Sequence, residues 1–351
     1  MNKFLQVLCF LVPSILYYGV NNNPIMTNYK LRKDFKLKGI KASSLPSRIL
    51  RKVDDIDEKR LLEQKFGFSM IEFINTIKKN VSASDLTLFY NNFNDVNTMI
   101  KDFKVLNLVC GGHVAARWVP KSKTIELSPD NYQLTINHEL FHVSSTYKDL
   151  EKNMYFSGFQ QFKSSDKQIG EGLNEGYTQY LAEKYFSHEP ILKAYSYEKR
   201  IAEAVELITG DEKMKSLYFN ADLKGLIDVL KQYNSEENIY DFIRTLDFLN
   251  KHMYDKKLTH NSSLIKIGCV KSINSFLIQI YVKKLILEYP GLRVDVNEIF
   301  DRLSPLLIKI PSEVKVNGKA TALFDDEIFR EILGDAFSGY ELNEDGKTIV
   351  K

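Results

Sequence analysis

The stretch that decides the predicted fold is SPDNYQLTINHELFH, residues 128–142. Its first three residues signal the start of a helix: a capping Ser, a Pro that fits the first turn, and an acid at the positive end of the helix dipole. We therefore predict a helix that begins near Ser128 and carries His138 and His142. Positions four apart share one helix face, so both imidazoles can point at one metal ion. A core-facing stripe accompanies them at Ile136, Leu140, Val143 and Tyr147.

Metal chemistry gives this pair of histidines a specific use. Zinc binds neutral imidazole nitrogens, and a catalytic zinc site has three protein ligands and one open position for water. Glu139 follows the first His and can take a proton from such a water. We predict His138 and His142 as metal ligands and Glu139 as the catalytic base. The alternative is an amphipathic helix whose two histidines bind no metal.

The third ligand is predicted in the stretch GEGLNEGYT, residues 170–178. Metzincins have Gly and His where this chain has Ser145 and Lys148, which excludes that class. Glu175 follows His142 by 33 residues. Gly172 and Gly176, one helical turn apart, permit close approach of another helix, which would bring Glu175 to the metal. Alternatively, the glycines only shape a turn and Glu175 is solvated.

The His-Glu-x-x-His motif at 138–142, followed by Asn174-Glu175, resembles the gluzincin metallopeptidases, the thermolysin-like branch of the zincins. Residues 173–180, LNEGYTQY, also resemble a loosely characterised group of bacterial gluzincin-like proteins. The motif-bearing portion covers roughly residues 104–187. The resemblance implies one catalytic Zn²⁺ held by His138, His142 and Glu175, with Glu139 as general base.

Further residues are expected around the zinc. Asn174 and Gln179 are expected beside the ligands. The thermolysin pattern has, four residues after the ligand Glu, an Asp that orients a zinc-bound His; Gln179 can accept the same imidazole proton but brings no negative charge. Residues 113–118 are the candidate edge strand for binding substrate main chain, centred on Val114, Ala115 and Ala116; an ordinary sheet edge with a structural Trp is the alternative. The candidate oxyanion-stabilising phenols are Tyr177, Tyr197 and Tyr218.

The periodicity along the chain predicts an α+β fold that is mostly helical. Helical patterns begin near Arg48, and residues 105–109, 113–119 and 124–127 are predicted strands, the last two forming a hairpin. From Ser128 onward almost everything reads as helix, with further helices near 172–187, 191–209, 221–233, 236–254, 263–288, 296–308 and 326–337. The expected architecture is a zincin-like small sheet plus active-site helix, followed by an all-helical C-terminal lobe.

Four regions are predicted: a hydrophobic anchor or signal at 1–24, a basic linker at 25–60, a zincin-like catalytic subdomain at 61–190 and a helical lobe at 191–351. The apolar run 4–20 is at the lower length limit for a membrane span and long for a signal-peptide core. Five Lys or Arg between residues 30 and 38 follow it, and only Lys3 precedes it. The positive-inside tendency therefore predicts a membrane-associated protein with a cytoplasmic body. The alternatives are secretion after signal cleavage and a cytoplasmic protein whose translation starts at Met26.

Charge is distributed unevenly along the 351 residues, although 48 Lys+Arg against 45 Asp+Glu leave a net charge of only +3. Residues 26–52, the basic strap, carry +8, whereas residues 53–351 carry −6. The strap suits anionic lipid headgroups. A mildly acidic body is not typical of a nucleic-acid-binding fold, so no nucleic acid partner is expected. Three scattered cysteines also exclude a disulfide framework.

Together these features predict a zinc-dependent peptidase that acts on a peptide or protein substrate with metal-activated water. The alternative is a catalytically inactive gluzincin-like interaction module with a structural or absent zinc, which the uncharged Gln179 motivates. A non-peptidase zinc hydrolase such as a deformylase is disfavoured, because that family's Gly-rich and Cys-containing motifs have no counterpart near the motif helix.

Overall fold

A computed structural model describes residues 49–52, 69, 71–92, 104–107, 116–127, 132–164, 167–187, 194–252, 260–288, 294–308, 315–316, 319–320, 341–342 and 348–350. The apolar run 4–20, most of the basic strap and the expected helix at 326–337 lie outside these ranges. The predictions made for them therefore stay predictions. Among the described residues, no helix is both long and apolar enough to cross a membrane.

The first sheet has four strands in the order β1-β2-β4-β3. They are β1 (Ile49–Lys52), β2 (Lys104–Asn107), β3 (Ala116–Val119) and β4 (Thr124–Leu127). The predicted β3–β4 hairpin is confirmed, with Trp118 opposite Ile125. The helical pattern expected from Arg48 is wrong at β1, a segment also assigned to the basic linker. Its four residues pair with β2, more than 50 positions away, and local periodicity does not reveal such a pairing.

Two helices at residues 71–80 (α1) and 87–92 (α2) precede the motif helix α3, Tyr132–Ser144. Ile136, Leu140 and Val143 of the predicted stripe are buried. Tyr147 does not continue the stripe, because α3 ends at Ser144 and Tyr147 lies on a strand. Hydroxyl groups end the helix: Ser144 and Ser145 both donate to the carbonyl of Phe141. Such side chains satisfy the carbonyl groups that have no partner at a helix C-terminus.

A second sheet follows α3, where the sequence predicted almost continuous helix. It is an antiparallel meander of β5 (Thr146–Asp149), β6 (Met154–Ser157), β7 (Gln160–Ser164) and β8 (Lys167–Ile169). Positive φ angles at Asn153 and Gly158 form its first two turns. Across the first hairpin, the rings of Tyr147 and Phe156 stack with centroids 4.8 Å apart. The helical expectation is wrong here because cross-strand pairs hold these short strands together.

The remainder is mostly helical: α4 (Glu171–Phe186), α5 (Ser196–Thr209), α6 (Asp211–Phe219), α7 (Leu223–Leu230), α8 (Glu236–His252), α9 (His260–Glu288) and α10 (Val296–Leu303). The predicted helices at these places are confirmed, whereas α6 was not predicted. An all-helical C-terminal lobe is wrong in one respect. Short strand pairs occur at β9 (Val294–Asp295), β10 (Lys315–Val316), β11 (Lys319–Ala320), β12 (Glu341–Leu342) and β13 (Thr348–Val350), where backbone hydrogen bonds join separate segments.

One continuous cluster of buried hydrophobic side chains extends from Phe73 in α1 to Ile308 after α10. It includes the buried face of α3 and much of α4 and α5. The described chain is thus a mostly helical α+β structure with small sheets. The two motif-bearing helices lie within its core, which holds them in a fixed relation to each other.

Candidate metal centre

His138, His142 and Glu175 converge, although 37 residues separate the first from the last. The Nε2 atoms of the two histidines are 3.1 Å apart. Glu175 places Oε2 at 3.1 Å from the Nε2 of His138 and Oε1 at 3.5 Å from that of His142. Among the described residues this is a group that can hold a metal ion, with ligand atoms within 4.8 Å of one another.

The donor set and its spacing fit a small divalent cation. Zn–N bonds of about 2.0–2.1 Å in tetrahedral geometry put two nitrogens roughly 3.3 Å apart. The observed 3.1 Å between the Nε2 atoms is close to this separation. Both histidines are buried, with 7% of their surface exposed. The geometry therefore supports a site for a divalent metal ion that consists of two imidazoles and one carboxylate.

The carboxylate of Glu175 is held in its charged form. Burial alone would raise its pKa, but the neighbouring His142 and hydrogen bonds from both histidines bring the pKa well below the usual range. A ligand that is already ionised is ready for a cation, because metal binding requires deprotonated ligands.

Gln179 orients His138, as expected from its position four residues after Glu175. Its Oε1 lies 3.1 Å from Nδ1 of His138. Its Nε2 donates to Glu183 at 2.9 Å, which fixes the amide so that the carbonyl oxygen faces the imidazole. In the form that binds a metal ion, Nδ1 of His138 would donate to this oxygen, which leaves the lone pair of its Nε2 for the metal. Glu183 in turn accepts from Lys199 at 2.5 Å.

Asn174 contacts the other histidine. Its Oδ1 accepts the backbone N–H of Phe159 at 3.2 Å, so its Nδ2 is the atom that lies 3.3 Å from Nδ1 of His142. In the metal-free chain, Nδ1 of His142 accepts this bond and the imidazole proton is on Nε2. To bind a metal ion through Nε2 as a neutral imidazole, His142 must carry its proton on Nδ1 instead, so this contact with the amide of Asn174 would have to change.

Glu139 lies on the same turn of α3 as the two histidines, and its buried carboxyl group interacts electrostatically with His138 and Glu175. Burial is the largest cause that raises its pKa to about 7, opposed by His138 and assisted by Glu175. A backbone hydrogen bond from Trp118 on β3 also favours the ionised form. A carboxyl group with a pKa near neutrality can both accept and return a proton.

Tyr195 lies at this site and was not predicted. Its ring is stacked on that of His138, with centroids 5.5 Å apart and planes 15° apart. The nearby charge of Glu175, together with burial and a hydrogen bond to Glu175, raises its pKa well above the usual value. The backbone is left-handed, with φ +53° at the residue before α5, an unusual state for a bulky side chain. No local sequence pattern indicates such a placement.

The phenols that the sequence did nominate are used elsewhere. Tyr177 donates to Glu206 at 2.6 Å, and the hydroxyl groups of Tyr218 and Thr178 are 2.7 Å apart. Both tyrosines are fully buried. Tyr197 is partly buried against the core. In the described part of the chain, the hydroxyl groups of Tyr177 and Tyr218 thus bond to partners other than His138, His142 and Glu175, and Tyr195 is a phenol that lies beside these three residues.

The two glycines of α4 do permit close helix contacts, but not with α3. A Cβ on Gly172 would lie 2.9 Å from a side-chain atom of Leu246 in α8, and one on Gly176 would lie 2.2 Å from the carbonyl oxygen of Glu198 in α5. The carboxylate of Asp247 also binds α4, accepting the backbone N–H groups of Gly170 at 2.7 Å and Gly172 at 2.9 Å. Helices α5 and α8 thus position the helix that carries Glu175.

The predicted substrate strand is described only in part, since Val114 and Ala115 lie outside the described residues. Ala116 is the first residue of β3, an edge strand of the first sheet, and α3 packs against this strand.

No protein-family model matches the chain, and comparisons with curated proteins and with solved structures find no significant match.

Proposed function

We propose that the protein is a zinc-dependent peptidase of the gluzincin type. The observation that carries this proposal is the convergence of both Nε2 atoms and both carboxylate oxygens of Glu175 on one point, with Glu139 on the same helix turn. His138, His142 and Glu175 would hold the zinc ion, whose chemistry is to act as a Lewis acid and to lower the pKa of a bound water.

The residues of the chain divide the remaining work. Glu139, with a pKa near 7, takes a proton from the attacking water and passes it to the leaving amine. Tyr195 presents a protonated phenol beside the ligands, where it can donate to the negative charge that develops on the carbonyl oxygen. Burial of the ligands limits competing solvent and strengthens these interactions.

The substrate main chain would bind along β3. The backbone N–H of Trp118 faces Glu139, so it points away from the partner strand β4 and towards the metal centre. Successive residues of a strand direct their backbone groups to alternate sides. Ala116, two residues earlier, therefore has its N–H and C=O on the same open side. An extended peptide could pair there as an additional strand, next to the general base.

The second candidate is an inactive interaction module with a structural or absent zinc. The observation that favours it is the uncharged Gln179 beside His138, where the gluzincin pattern has an acid. Histidine ligands usually donate their second N–H to a carboxylate, a carbonyl or water, and such partners tune metal affinity. Gln179 supplies the carbonyl oxygen, but the negative charge lies one side chain further from His138, on Glu183.

Metal analysis combined with a cleavage assay separates the two candidates. The full chain is dialysed and its zinc, manganese, cobalt and iron contents are measured, and cleavage of fluorescein-labelled denatured casein is followed. We expect one zinc per chain. Glu139→Gln should keep the zinc and lose cleavage by about 10²–10⁴-fold. Exposed Glu237→Gln on α8 is the matched control and should match the parent protein.

Each contrary result has a definite meaning. If the parent and Glu139→Gln both bind zinc and cleave at the same rate, Glu139 is not the base. If the zinc-loaded parent does not cleave, the interaction module is the better description. If His142→Ala retains the full zinc content, the ligand assignment is refuted.

A further inference from the structure

Trp118, the only tryptophan in the chain, joins β3 to the end of the motif helix. Its indole Nε1 donates to Oγ1 of Thr146 at 3.2 Å, across 28 residues of sequence. The ring is partly buried and packs against the core. Trp118 thus links the edge strand to β5, the strand that follows α3 directly.

Thr146 in turn is bonded to α3. Its Oγ1 lies 2.5 Å from the carbonyl oxygen of His142 and 2.8 Å from Oγ of Ser157. A hydroxyl group has one proton, and a carbonyl oxygen can only accept, so the proton of Thr146 goes to His142. The lone pairs of Oγ1 remain for the indole N–H. Two hydrogen bonds therefore connect the indole of Trp118, through Thr146, to the backbone of the proposed metal ligand His142.

A second side chain, that of Asn92, also bonds to this turn. Nδ2 of Asn92, on α2, donates to the carbonyl oxygens of Val143 at 2.7 Å and Thr146 at 2.5 Å. The carbonyl groups at the end of α3 are thereby satisfied by side chains. Thr146 is therefore fixed by bonds to α2 and α3, and its hydroxyl group is a well-positioned acceptor for the indole N–H of Trp118.

We propose that Trp118 and Thr146 are positioning residues that fix β3, the strand proposed to bind substrate main chain, against the C-terminal turn of α3. The role in substrate binding rests on the proposed function, whereas the contact itself does not. Trp118 holds β3 against α3 at two points. Its indole N–H donates to Thr146, and its backbone N–H faces Glu139. A shift of β3 would move the peptide-binding edge and this N–H group together.

The test removes each side of the bond separately and then both. Trp118→Phe keeps a large ring and loses the donor. Thr146→Val keeps the shape and loses the acceptor, and Thr146→Ser retains the hydroxyl. Hydrogen exchange of the β3 backbone, residues 116–119, is measured by mass spectrometry, with zinc content as a control. We expect roughly two- to tenfold faster exchange in Trp118→Phe and Thr146→Val, the size of one hydrogen bond, and parental exchange in Thr146→Ser.

The double variant decides whether the two residues act through each other. It should exchange no faster than Thr146→Val alone, because the bond between them can be lost only once. Additive effects, or unchanged exchange in either single variant, would overturn the proposed contact. Emission of the single tryptophan gives an independent reading: it should shift to longer wavelength in Thr146→Val as the indole N–H turns to water, and an unshifted spectrum counts against the bond.

The binding role is measured on zinc-loaded protein with labelled denatured casein. KM should rise roughly two- to tenfold in Trp118→Phe, with kcat within about twofold and with zinc content unchanged. A parental KM together with faster β3 exchange would refute the role in peptide binding and leave the contact as structural. A parent protein that cleaves no casein refutes the proposed function instead, and the exchange rates still decide the contact.

Discussion

Adding one methyl group at Gly176 tests how the metal centre is assembled. An alanine Cβ would lie 2.2 Å from the carbonyl oxygen of Glu198 and 2.3 Å from its carbonyl carbon, whereas ordinary contact begins at 3.4 Å. Backbone atoms cannot rotate aside as the end of a side chain can. Helices α4 and α5 would therefore have to separate by roughly 1 Å, because a packed interior has no free volume to absorb the methyl group.

The expected cost follows from two opposing effects. Overpacking costs about 1–3 kcal/mol, and the upper end applies because backbone meets backbone. Alanine is favoured over glycine inside a helix by about 1 kcal/mol. The free energy of unfolding should thus fall by about 2 kcal/mol. Tyr195 lies three residues before Glu198, so the separation also moves its ring off His138. Displacement of a catalytic group by about 1 Å can cost on the order of 10²-fold in rate.

Urea unfolding and casein cleavage measure both effects, with Gly172→Ala as the matched control on the same helix. A Cβ at Gly172 would lie 2.9 Å from Cγ of Leu246 and 3.0 Å from its carbonyl oxygen, a smaller overlap than at Gly176, and the contact is with α8 rather than α5. The control should lose less stability and keep its cleavage rate. A Gly176→Ala protein with parental stability and parental cleavage would refute the idea that close α4–α5 packing places Tyr195.

Gln179→Ala removes the acceptor for the Nδ1 proton of His138 and should weaken zinc binding about 10–100-fold, as measured by competition with a chelating dye; unchanged affinity would deny Gln179 an orienting role. Tyr195→Phe removes only the phenol O–H and should lower kcat about 10²-fold with zinc content unchanged, and a parental kcat would exclude the phenol from the reaction. Burial raises the pKa of Glu139 to about 7, and a protonated carboxyl cannot act as a base, so kcat/KM should fall as the pH is lowered through the pKa of this group. A bound cation lowers that pKa, so the fall should lie below pH 7 in the zinc form; a profile that stays flat down to the pH of zinc loss would argue against Glu139 as the base.

The convergence of His138 and His142, the candidate metal ligands, could be predicted because their geometry is local. Two histidines four apart on a well-signalled helix must share a face, and that relation survives any tertiary arrangement. Glu175 needed the resemblance as well, since its approach to the histidines depends on how α4 packs. The glycines beside it indicate that another backbone comes close, but not which one. From the sequence, the glycines were expected to face the helix that carries the histidines. In the structure they face Leu246 of α8 and Glu198 of α5 instead.

Tyr195 and the β5–β8 meander could not be predicted, for different physical reasons. Tyr195 reaches the site through a left-handed backbone at the start of α5, and no composition signal marks a Tyr for that conformation. The meander has strands of three to five residues. Its stability comes from pairs such as Tyr147 with Phe156, which are nine positions apart and meet only after the turn at Asn153 has formed.

The departure from the gluzincin pattern at Gln179 suits its surroundings. The position has to satisfy two neighbours at once: Nδ1 of His138, which needs an acceptor, and the carboxylate of Glu183, which needs a donor. An aspartate could serve the first but would bring a second negative charge next to Glu183 with no proton to share, leaving Lys199 as the cation that offsets both charges. A glutamine serves both and connects the imidazole to the charge of Glu183 through its amide. The negative charge that a carboxylate would bring to this position is therefore carried by Glu183, one turn further along α4. This arrangement is compatible with a metal centre at His138.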